Sequence, residues 1–138
     1  MFRLPFSSAR PALALAAVLL LFFPSGNARA VTREEVERAI RDGVRYLKQE
    51  QQGEGSWEDA NKQALTGTTS LVTLALLTAG ERPDSPAVRK ALDFLRRFSP
   101  EQLRSTYAIA LQTMVFSAAD PEGDQLKIAN NVGWLERA

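Results

Sequence analysis

Apolar residues at Val36, Ile40, Val44 and Leu47, with Ala39 and Gly43 beside them, recur at the three- and four-residue steps of one helix face. Charged residues take the other faces, and Thr32-Arg33-Glu34-Glu35 has the form of a capping box at the start. This helix is expected to end near Gln52, where Gly53 and Gly55 break it. The run from Leu71 to Ala79 is different, because only Thr73 and Thr78 interrupt its apolar character. Leu and Ala outnumber β-branched residues there and Gly80 supplies a stop, so the run predicts a helix apolar on every face, one that must be surrounded. Ser85-Pro86 then opens a second amphipathic helix with the stripe Val88, Ala91, Leu92 and Leu95. Ser99-Pro100-Glu101-Gln102 repeats the start signal, and Leu103, Tyr107, Ala110, Leu111, Met114 and Val115 continue at helical spacing. Asp120-Pro121-Glu122-Gly123 stops that helix, and a last one from about Asp124 carries Ile128, Val132, Trp134 and Leu135.

The order is amphipathic, buried, amphipathic, buried, amphipathic. It predicts an all-α fold of about five helices in two layers, with the apolar helices inside and the half-solvated ones outside. The pattern also repeats. Val44-x-Tyr46-Leu47, Leu92-x-Phe94-Leu95 and Val132-x-Trp134-Leu135 share the form apolar-x-aromatic-Leu, at spacings of 48 and 40 residues. The inner runs align too, Thr68–Gly80 falling on Tyr107–Ala119 at a shift of 39. Each hairpin leaves apolar surface that a neighbouring hairpin has to cover.

The first thirty residues change how the charge is read. Arg3 and Arg10 give a basic start, Pro11–Phe23 is an uncharged apolar run of 13 residues, and Ala28-Arg29-Ala30 has the small-x-small form of a cleavage site. The run falls short of the roughly 20 residues that span a bilayer. Residues 1–30 are therefore expected to be a signal peptide, with export to the periplasm or the extracellular space after cleavage near Ala30. Retention of that segment would anchor the chain in a membrane instead. Without Arg3, Arg10 and Arg29 the remainder has 14 Lys and Arg against 16 Asp and Glu, a net charge of −2. No basic surface remains to attract nucleic acid. The chain has no Cys and no His, which excludes a disulfide framework, the usual zinc ligands and the commonest general base. No cofactor and no metal are expected.

Gly43, Tyr46, Leu47, Gln51, Gly55 and Trp57 stand at fixed steps, with Ser56 before the tryptophan. In this spacing the stretch resembles the QW motif of squalene and oxidosqualene cyclases and of protein prenyltransferase β subunits. It departs from that pattern in having Asp42 where a basic residue precedes the glycine, with Arg41 one place earlier. The later copies keep only the helix half. The resemblance covers residues 31–138 and implies part of an α/α toroid, incomplete because so few hairpins cannot close a ring. It also implies that Gln51 satisfies free backbone groups at a helix end and that Trp57 clamps adjacent hairpins.

Catalytic residues do not carry over. The Asp-x-Asp-Asp cluster by which such cyclases protonate their substrate is missing, and the prenyltransferase zinc site needs Cys and His. Glu58-Asp59 and Asp120-Pro121-Glu122-Gly123-Asp124 are the nearest acids, the second reading better as a turn and helix cap. Thr66–Ser70 has the composition of an anion nest at a helix start but no phosphate-loop lysine. If the toroid holds, Thr69 and Tyr107 are the candidates to line its cavity. The function expected is an exported, non-catalytic binding or scaffold segment of the toroid type, taking a protein partner or an apolar ligand, or self-associating through its open edge. The alternative is part of a terpenoid or polyprenyl cyclase-like enzyme with its acids beyond Ala138, a reading that an Asp-rich cluster downstream would favour.

Overall fold

A computed structural model describes residues 30–57 and 65–138. The leader assigned to residues 1–30, Ala30 apart, and the acidic pair Glu58-Asp59 lie outside the described residues. Among the described residues there are six helices and no strand: α1 (Arg33–Gln49), α2 (Gly67–Thr78), α3 (Pro86–Leu95), α4 (Pro100–Leu103), α5 (Thr106–Ala119) and α6 (Gln125–Leu135). All six lie in one compact unit, Arg33–Ala138. The fold of this unit is all-α.

The sixth helix comes from a break in the run read as continuous from Ser99 to Ala119. Gln102 closes a tight first turn by accepting from the Ser99 amide at 2.9 Å. Arg104 then adopts a left-handed conformation (φ 47°), which ends α4. Ser105 restarts the chain as the N-cap of α5, its hydroxyl accepting from the Ala108 amide.

α2 and α5 pack side by side, α3 against α2 and α6 against α5. The buried positions of the two inner helices agree in register. Thr69, Ser70, Thr73 and Leu76 on α2 correspond, at a shift of 39, to Ala108, Ile109, Gln112 and Val115 on α5. The core gathers Leu76 of α2, Val88, Ala91, Leu92 and Leu95 of α3, Val115 and Phe116 of α5, and Trp57. Side chains of this size each contribute about 1.5–3 kcal/mol when fully buried.

Two expectations about burial fail. The inner helices are not surrounded, since Leu71 is 49% exposed, Met114 53% and Tyr107 57%. No residue of α1 is buried, although its stripe is clear in the sequence. Val44 and Leu47 pack against the core, but Val36 and Ile40 each remain 47% exposed. Sequence periodicity shows that a face is apolar; it does not show whether a neighbour covers it.

Candidate functional site

The turn after α1 is the most closely tied polar structure in the unit. Gln51 sits just past the helix end, and its Nε2 donates to the Gly55 carbonyl at 3.0 Å and to the Ala87 carbonyl, at the start of α3, at 2.9 Å. Trp57, buried, donates from Nε1 to the Leu47 carbonyl at 2.7 Å, and its backbone amide donates to Thr69 Oγ1 on α2 at 3.0 Å. These bonds join α1, α2 and α3, and the Leu47 carbonyl is one of those that the C-terminal end of α1 would otherwise leave free. Gly55 has φ +100°, and a Cβ there would collide with the Lys90 carbonyl, so both backbone conformation and space require glycine. Gly43 differs, with nothing within 4 Å of an added Cβ. Tyr46 is 60% exposed and Leu47 half-buried.

Two buried polar links were not legible in the chain. Gln112, fully buried in the middle of α5, donates from Nε2 to the Leu95 carbonyl at 2.9 Å, and its Oε1 accepts from Asn131 Nδ2 of α6 at 2.9 Å. The only signal was an amide inside an apolar run. Arg96, at the end of α3, forms a bidentate pair with Asp124, which is 3% exposed, through Nε at 2.9 Å and Nη2 at 2.8 Å. Asp120 and Asp93 lie farther off at 3.5 and 3.6 Å. The Asp124 hydrogen bonds hold the Arg96 guanidinium above its ordinary pKa, against the opposing effect of burial. The acidic turn is thus engaged in structure, with Gly123 N donating to Asp120 Oδ1 at 3.0 Å. Among the described residues no group of three His, Cys, Asp or Glu is placed to hold a metal.

Thr69 and Tyr107 do not share a surface. Thr69 is buried with its hydroxyl against the Trp57 amide, whereas Tyr107 stands exposed. Of Thr66–Ser70 only Thr68 is exposed, so the stretch presents little of itself to an anion.

What the inner layer does present is an uncharged face. Neither Thr66–Gly80 nor Ser105–Ala119 contains a charged residue. An open groove of about 530 Å³ runs between α2 and α5, lined by Leu74, Ala110, Met114 and Ala118, with Leu135 of α6 at its side. The hydroxyl of Thr113, which also lines it, turns inward on its own helix and donates to the Ile109 carbonyl at 2.7 Å. No helix among the described residues is long and apolar enough to cross a membrane.

The architecture defines a class, an all-helical domain whose paired helices expose one uncharged inner face. The A-macroglobulin TED domain model matches residues 6–133, and the chain belongs to that family. No curated protein and no solved structure matches it. The family match overturns the resemblance to squalene cyclases and prenyltransferases. With it fall both functions drawn from that resemblance, the toroid-type scaffold segment and the cyclase-like enzyme. The reason lies in the motif. Gln51, Gly55 and Trp57 close a helix end onto the next two helices, a local task that any layered helical hairpin can set, so the spacing did not carry the family with it.

Proposed function

We propose that this chain is a contact domain of the A-macroglobulin TED type that holds a protein partner noncovalently on the α2/α5 face. The observation that carries the reading is the exposure of Met114 and Tyr107 and the apolar groove beside them, lined by Leu74, Ala110 and Ala118, on two adjacent helices without a charged side chain. Exposed apolar surface of this kind is characteristic of interaction sites. The chain has neither thiol nor imidazole to act as nucleophile or base. The net charge of −2 beyond the leader gives no support for a nucleic-acid partner. The basic start, the apolar run and Ala28-Arg29-Ala30 support export, with the mature chain beginning at Val31 in the periplasm or outside the cell.

Oxidative footprinting tests the contact. Met114 and Tyr107 should be modified in the isolated chain and protected in its native assembly. Equal modification in the two states would show that the face is not a contact. N-terminal sequencing of the exported chain tests the leader, with Val31 expected as the first residue.

A further inference from the structure

The chain has no Cys and two Met, and the first of these opens the leader. Beyond the leader, Met114 therefore carries the one sulfur atom. Its neighbours on α5, Val115 and Phe116, are fully buried, whereas Met114 is 53% exposed and lines the groove between α2 and α5. The repeat does not demand sulfur at this place. Its equivalent on α2, at the shift of 39, is Ala75, which is exposed as well and holds nothing an oxidant attacks. The groove offers few polar groups. Thr113 gives its proton to the Ile109 carbonyl at 2.7 Å, which leaves the Ser117 hydroxyl as the remaining side-chain donor among the residues lining it.

We propose that Met114 is a reversible sulfoxidation site through which a hydroperoxide releases the α2/α5 contact. This rests on the reading of that face as a protein contact. A lone pair of the thioether sulfur attacks one peroxide oxygen and the O–O bond breaks. The hydroxide released takes the proton from the oxygen now on sulfur and leaves as water. Sulfur is oxidised by two electrons and the peroxide reduced by two, and a sulfoxide reductase drawing on a thiol reverses the change. The product is polar where the thioether was apolar. In the free chain the new oxygen faces water, and the core beneath it is untouched. Under a covering protein it has to be dehydrated beside a single available hydroxyl, and a buried polar group short of partners opposes the contact. No thiol competes for the oxidant, and Trp57 is buried away from it.

Hydrogen peroxide is the probe. Peptide mapping of the treated exported chain should place one added oxygen at Met114 ahead of Trp134, Tyr46 and Tyr107, with Tm changed by less than about 3 °C. Returned to an exported fraction from which the chain has been depleted, the oxidised chain should enter the native assembly about tenfold more weakly on size exclusion, which is roughly 1.4 kcal/mol. Methionine sulfoxide reductases A and B together should restore entry, one enzyme for each sulfoxide epimer. Met114→Leu should show no response to peroxide relative to its own untreated sample. Oxidation falling first on an aromatic ring, a larger drop in Tm, an equal loss in Met114→Leu, or undiminished entry of the oxidised chain overturns the proposal. Labelling of Tyr107 tells these failures from failure of the contact itself. Protection of Tyr107 in the assembly of the reduced chain keeps the contact while the proposal falls, and equal labelling of free and assembled chain removes both.

Discussion

Replacing Gln112 with leucine removes one amide from the centre of the unit and leaves its partners behind. Asn131, 1% exposed, loses the acceptor of its Nδ2. A buried donor left unsatisfied costs about 1–3 kcal/mol. The Leu95 carbonyl loses a 2.9 Å bond but still accepts from the Phe98 amide at 3.2 Å, so its loss is the smaller. Together the single substitution should cost about 2–4 kcal/mol. For a unit of this size that is a fall in Tm of roughly 8–16 °C. Gln112→Leu combined with Asn131→Leu removes both ends of the bond, and paired apolar replacement is close to neutral. The double variant should therefore be less destabilised than the two single variants added together, with a coupling of about 1 kcal/mol or more. Urea unfolding of the four proteins, with slopes compared to confirm a common unfolded state, measures this cycle. A cost below about 0.5 kcal/mol for Gln112→Leu, or strict additivity, would refute the claim that this bond organises the α3, α5 and α6 contact.

Gly55→Ala should destabilise by more than about 1 kcal/mol through its positive φ and the Lys90 carbonyl, whereas Gly43→Ala, in an open helix interior, should stabilise by about 0.5–1 kcal/mol. Thermal melts of the pair check this, and the reverse ranking would contradict it. Arg96→Met strands Asp124 in the interior and should cost about 3 kcal/mol, with part of the loss recovered in Arg96→Met/Asp124→Asn; no recovery would mean that the charge is not the cause. The Glu54 carboxyl is held below its ordinary pKa by its own backbone amide and then by the Ser56 hydroxyl. A depressed acid stabilises the fold above its unfolded pKa and loses that contribution as pH falls through the folded value. An NMR titration should accordingly place Glu54 below an unfolded-state carboxylate, and Ser56→Ala should raise it.

Local chemistry was the legible part of the sequence. Ser85-Pro86, Ser99-Pro100 and Gly80 marked helix limits correctly, because caps and breakers act within a turn. The repeat was legible as well, and the 39-residue register recurs in the burial of Thr73 and Gln112. Arg104 was not, since no residue type announces that an arginine will turn left-handed. The pairing of Arg96 with Asp124, 28 residues away, depends on how α3 and α6 meet, and spacing along the chain does not contain that. The exposed inner face was misread for a related reason. An all-round apolar helix was assumed to be covered, when apolar character is also what an unoccupied contact surface requires. The family was missed because the motif that suggested one describes a hairpin closure rather than an ancestry.

The way α1 is attached has a consequence for the order in which the unit opens. Its ties gather at one end, with the Leu47 carbonyl on Trp57, Lys48 on Glu81 at 2.6 Å, and Gln51, just beyond, on Ala87. Its first half carries the exposed pairs of Arg33 and Arg41 with Glu37 and a half-solvated stripe. Amide hydrogen exchange should therefore run as a gradient along this one helix, fastest near Val36 and Ile40 and slowest toward Leu47. The amides of α2 and α5 around Leu76 and Val115 should wait for global unfolding. α1 is a hinged arm whose first turns should sample solvent long before the core does.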